Sequence, residues 1–120
     1  MKSRDNRTFI GGEDHSAAQF KFVTQEADGE VDLAGAAGEN ANGVCLAGAA
    51  AGAAVTVCIS GSVMVEAGGA ITAGDQIQTG ADGTALLAAT GDVVLGYARE
   101  DGVDGQIIEI EMIQGGNVAA

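Results

Sequence analysis

The sequence predicts a mainly β fold: a small β-barrel or β-clip/sandwich of short antiparallel strands with a flexible N-terminal arm. Three observations predict it. Apolar residues come in short runs broken every few positions by Gly or Asp, the pattern of small strands joined by tight turns. Twenty glycines and no proline call for many turns at positive φ and none locked by a proline ring. Where apolar runs lengthen, as in Val55, Val57 and Ile59 around Thr56 and Cys58, they alternate with the period of two that marks a half-buried strand.

At 120 residues the chain suits one domain that buries roughly two thirds of its unfolded surface. Aromatics are scarce: Phe9, Phe20, Phe22 and Tyr97, with no Trp. The core must therefore be built from Val, Ile, Leu and Ala. With no proline, refolding should lack a slow isomerisation phase.

Residues 1–19 mix charge, polar groups and Gly around a single apolar pair, Phe9 and Ile10, and follow neither a helical nor a strand period. They read as an arm that orders on a partner, with Phe9 and Ile10 as its anchor. Residues 20–120 read as the single β domain. Phe20–Gln25 is its first strand, with Phe20 and Phe22 on one face. Between Glu26 and Asn42, Val31 and Leu33 support one more short strand at best. Val44 and Leu46 form a short strand before the longer one at Val55–Ile59. Ala49–Ala54 is too short, between Gly48 and Gly52, for a stable helix.

Ser60–Thr84 reads as the scaffold that the rest is organised around. Val63–Val65 end a strand, Gly68–Gly69 turn the chain, and Ile71 and Ile77 return as apolar anchors about Ala73-Gly74-Asp75. Ala85–Ala89 is a weak apolar run and Val93–Ala98 another strand. Gln106–Gln114 is the clearest strand, with Ile108, Ile110 and Met112 on one face and Glu109 and Glu111 on the other. The core expected from these phases is Val44, Leu46, Val55, Val57, Ile59, Ile71, Ile77, Leu95, Ile108 and Ile110. The segment Val44–Val57 also parallels Val94–Ile110, each a short strand, a Gly-ended connection and a longer strand.

Catalytic chemistry finds little support. His15, the only histidine, sits in the arm beside Glu13, Asp14 and Ser16, where no scaffold fixes the geometry a triad needs. Cys45 and Cys58 fall on the polar phase of their strands and read as reduced thiols. A simple hairpin would also let them face one another, and two cysteines without a neighbouring His are too few for structural zinc. Asp75, Asp82, Asp92, Asp101 and Asp104 all lie at or near a Gly, which is first a turn signal. Arg99–Gly105 lacks the ligand alternation and distal Glu of a calcium loop. No Gly-rich phosphate loop occurs. A biotinyl or lipoyl carrier is excluded because no Lys lies between Phe22 and Ala120. The reading is of a non-enzyme with no cofactor and no metal.

The formal charge is −12 and uneven. Residues 1–21 hold four of the five basic residues against three acids, whereas the remainder holds one Arg against fourteen acids. Such a body is repelled by nucleic acid and by anionic lipid, which leaves a protein as the expected partner. The start of the chain has no apolar h-region and no run reaches the roughly 20 apolar residues that span a bilayer. A cytoplasmic origin is expected.

Val65-Glu-Ala-Gly-Gly-Ala-Ile-Thr-Ala-Gly-Asp-Gln-Ile, Gly80-Ala-Asp-Gly-Thr-Ala, Val94-Leu-Gly-Tyr-Ala and Gly105-Gln-Ile-Ile-Glu-Ile together resemble the small capsid decoration, or cement, proteins of tailed bacteriophages. The resemblance covers about Gly43 to Gln114, and its motifs are turn-forming. The long charged start and Ala49–Ala54 depart from it. It implies a non-enzymatic protein at the virion capsid surface, assembled in the host cytoplasm, whose partner is the major capsid protein. It further implies a homotrimer that reinforces the shell after expansion. The arm residues Arg4, Arg7, Phe9, Ile10 and Phe20 would then contact the capsid. The competing reading is a virion-surface β-clip module for a carbohydrate or receptor, which the few aromatics disfavour because sugars stack on rings.

Overall fold

The computed structural model describes residues 4–11, 19–25, 30–35, 37–41, 43–47, 52, 54–89 and 91–113. These form an all-β fold of nine strands: β1 Arg4–Ile10, β2 Phe22–Gln25, β3 Val31–Leu33, β4 Gly43–Ala47, β5 Ala54–Glu66, β6 Gln76–Thr79, β7 Ala85–Leu87, β8 Gly96–Ala98 and β9 Ile107–Met112. Their ladders are all antiparallel and run β3-β2-β4-β5-β9-β8-β6-β7, with β1 added to β5. The result is a curled half-barrel. At its ends the chain ties back on itself: Gly11 bridges Val31 of β3, and Ala67, just past β5, bridges Ala85 of β7.

β5 is the spine. Its first half pairs with β1 and β4 and its second half with β9, so one strand serves two cores. Val55 and Val57 lie in a small cluster with Val23, Val31 and Cys45, against which Phe9, Leu33 and Ile59 pack. Val63 and Val65 lie in the larger cluster with Phe22, Val44, Cys58, Ile71, Ile77, Leu95, Ile108, Ile110 and Met112.

Strict alternation would send residues 55, 57, 63 and 65 to one face. The phase changes because β5 carries a bulge: Asp5 pairs with Ser60 but Asn6 with Cys58, leaving Ile59 as the extra residue. Gly61 follows at φ 96°, a left-handed conformation that Gly adopts without steric cost. One inserted residue moves every later side chain to the other face, and β5 thereby crosses from the small core to the large one.

Three expectations from the sequence differ from this structure. Arg4–Ile10 forms a strand although its own pattern shows no period, because β1 takes its conformation from the ladder with β5 and from Phe9, which packs on the small core. Phe20 is not in line with Phe22. Strand β2 begins at Phe22, and Phe20 sits at φ 65°, where its N–H donates to the Cys45 carbonyl (2.7 Å) and its carbonyl accepts from Glu66 N–H (2.8 Å). Cys45 and Cys58 have no polar phase to occupy, because β4 and the first half of β5 are buried on both faces. Cys45 pairs with Val57 on the small-core side and Cys58 with Val44 on the large-core side. Thiols aimed into opposite cores cannot meet without unfolding, so a mild oxidant applied to the native protein should leave its intact mass free of an intramolecular bridge.

Of the residues expected in the core, Val44, Val55, Val57, Ile71, Ile77, Leu95, Ile108 and Ile110 are buried, while Leu46 and Ile59 are half-buried at its edge. The two units that resemble each other in sequence, β4 with β5 and β8 with β9, are each antiparallel pairs. In both, a glycine of the short strand lies against the backbone of the long one. A Cβ on Gly43 would overlap the Cys58 carbonyl oxygen, and one on Gly96 that of Glu111.

Candidate interaction surface

Several carboxylates among the described residues cap turns and connections. Asp75 Oδ2 accepts from Thr72 N–H (2.8 Å), Asp101 Oδ1 from Ala73 N–H (2.8 Å) and Asp92 Oδ2 from Ala89 N–H (2.9 Å). Asp82 Oδ1 accepts from both the hydroxyl (2.6 Å) and the backbone N–H (3.2 Å) of Thr84. These carboxylates replace backbone partners that tight turns lack. Among the described residues no group of three or more His, Cys, Asp or Glu could hold a metal ion. His15 lies outside the described residues.

The Thr84 bonds hold the Asp82 carboxyl below its usual range of about 3.8, the hydroxyl first and the amide second, with Lys21 adding a weaker attraction. A carboxyl whose folded pKa is depressed contributes its stability above the unfolded pKa and loses it as pH falls through the folded one. Stability should therefore hold near neutrality and fall below about pH 4. Asp82→Asn should lower stability at pH 7 and flatten that acid-side slope, measured by urea unfolding across pH.

The face of the β5–β9 ladder turned away from the large core carries Ser62, which is buried, opposite Glu111, with Met64 opposite Glu109 and Glu66 opposite Ile107. The Ser62 hydroxyl donates to Glu109 Oε2, and Glu100 Oε2 accepts from Glu109 N–H (2.9 Å). Tyr97, on β8, pairs with Glu111 and is exposed. The other exposed large apolar side chains among the described residues are Leu87 on β7, Val103 in the β8–β9 turn and Ile107 at the start of β9.

The arm residues named from the sequence fall differently. Phe9 is half-buried against the small core and Phe20 half-buried at the left-handed turn. Arg4, Arg7 and Ile10 lie on β1 by their backbone, paired with Gly61, Val57 and Ala54. The exposed set Leu87, Tyr97, Val103 and Ile107 is not marked in the sequence, because an apolar residue on the outward phase of a short strand or in a turn carries no local sign of a role.

Fold and surface define an all-β module that uses several carboxylates as turn acceptors and leaves Leu87, Tyr97, Val103 and Ile107 exposed. The model of the phage cement protein family matches residues 13–112, and the chain belongs to that family of structural, capsid-associated bacteriophage proteins. Among solved structures it is similar to the N base of the head fiber protein gp8.5 of bacteriophage phi29, with a TM-score of 0.72 and 24% identity over 92% of this chain and 95% of that one. That likeness shows the fold. None of the curated proteins matches.

Proposed function

We propose that this protein is a decoration protein that binds the outer surface of a phage capsid as a homotrimer and stabilises the shell, without enzymatic activity. Its partner is the major capsid protein, and it is assembled onto the shell in the host cytoplasm. The family match across residues 13–112 carries the proposal. The use of carboxylates as turn acceptors and the acidic charge support it, since neither suits a catalytic or nucleic-acid-binding role. Phe9 packs on the small core as the anchor of β1, and Arg4, Arg7 and Ile10 of β1 remain, with Phe20, the arm's candidate contacts with the capsid. Many weak contacts repeated over a symmetric lattice add through effective concentration.

The experiment is co-sedimentation with expanded shells. Saturable binding at a fixed ratio to the capsid subunit, together with a solution mass of three chains, is the expected result. Failure to sediment with shells at micromolar concentration would remove the proposal. The carbohydrate or receptor reading has a single exposed aromatic among the described residues, Tyr97, and gains nothing further from the structure.

A further inference from the structure

Val103 is 63% exposed, more than any other large apolar side chain among the described residues, and Ile107, just beyond the same turn, is 37% exposed. The backbone that presents them is tied down from several directions. Gln106 N–H donates to the Val103 carbonyl (3.0 Å), and Val103 N–H donates to Gln106 Oε1 (3.2 Å). Gly105 N–H donates to the Ala67 carbonyl (2.8 Å), and Gly102 and Ile71 exchange both of their backbone bonds (2.9 Å each). Gly102 is further pressed against Ile108, whose Cγ2 a Cβ there would overlap. An apolar tip held this firmly loses little entropy on binding, unlike a loose loop that must first be ordered.

The charge around the tip is mainly negative. Glu100, Asp101 and Asp104 are exposed on the same connection, Glu66 stands across from Ile107, and Arg99 is the basic residue between β8 and β9. Two such tips facing each other would set carboxylates against carboxylates, which disfavours a symmetric contact between copies. An apolar centre inside a charged rim is the arrangement of a binding hot spot.

Resting on the capsid-binding reading above, we infer that the Glu100–Ile107 turn is a docking surface in addition to the arm. It fits a depression on the major capsid protein that has an apolar floor and a rim of Lys or Arg.

The test measures binding of the full chain to expanded shells for wild type, Val103→Ser, Asp104→Lys and, as a control at an exposed apolar residue of β7, Leu87→Ser. Each variant alters an exposed side chain, and its fold is checked by circular dichroism and thermal unfolding. Val103→Ser should weaken binding by about tenfold or more. Asp104→Lys should weaken it and reduce its sensitivity to salt, and Leu87→Ser should stay within about twofold of wild type. Wild-type binding with Val103→Ser and Asp104→Lys unaffected would overturn the docking surface and leave the capsid reading standing. A changed solution mass in Val103→Ser would show the turn to be a contact between copies and overturn it too. Absence of wild-type binding would overturn both.

Discussion

Removing residues 1–11 should destabilise the protein by about 3–5 kcal/mol, a large share of the stability of a domain this size. The loss has two sources. β1 contributes a seven-residue strand whose ladder covers β5 from Ala54 to Gly61, and Phe9 covers the small core of Val23, Val31, Cys45, Val55 and Val57. Without β1 the edge of β5 is left unpaired and that core opens to water, each a recognised liability. The effect should be local before it is global. Hydrogen exchange should show lost protection in β2, β4 and the first half of β5, while β6, β8 and β9, which pack on the large core, stay protected. An unchanged urea midpoint and exchange pattern would mean that β1 contributes nothing to the fold. Capsid binding by such a truncation would therefore report on folding as well as contact, so the arm's own contribution is read from Arg4→Ala and Arg7→Ala.

Gly96→Ala should cost about 2–4 kcal/mol, a high figure for one methyl group. The added Cβ would overlap the Glu111 carbonyl oxygen and press on its carbon. Both are backbone atoms of the paired strand and cannot swing away. β8 and β9 would have to separate, at the expense of the pairings Gly96–Met112 and Tyr97–Glu111 and of the bond from Ile113 N–H to the Leu95 carbonyl (2.8 Å). Gly43→Ala should behave alike, since its Cβ would overlap the Cys58 carbonyl oxygen. Gly105→Ala offers a contrast: nothing lies near its Cβ, but its φ of 86° places the cost, about 1–2 kcal/mol, in backbone conformation alone. Urea midpoints for the three variants separate the mechanisms. Equal effects would contradict the packing argument.

What the sequence reveals depends on how locally each element is determined. β9 is legible because Ile108, Ile110 and Met112 alternate with Glu109 and Glu111, and the structure buries the first set and leaves the glutamates half-exposed. β3 is legible from Val31 and Leu33 between loops. β1 is not, because Arg4–Ile10 becomes a strand through a partner more than forty residues away, and no local period encodes that. The orientation of Cys45 and Cys58 is hidden for another reason. Alternation assumes one buried face, whereas β4 and the start of β5 have two. The bulge at Ile59 with Gly61 then inverts the phase within a single apolar run. Phe20 shows the converse failure, since an apolar residue two positions before Phe22 fits the strand pattern yet takes a left-handed turn. The contact surface is the least legible part: Ile107 shares the outward phase of Glu109 and Glu111 and Val103 lies in an Asp-Gly turn, but nothing local distinguishes an exposed apolar residue that meets a partner from one that does not.

Reinforcement of the capsid is read from calorimetry of expanded shells with and without saturating protein. The disruption temperature of the shell should rise with added protein and level off at the stoichiometry found by sedimentation, as expected for a ligand that binds only the intact lattice. A disruption temperature that does not move at saturation would contradict it.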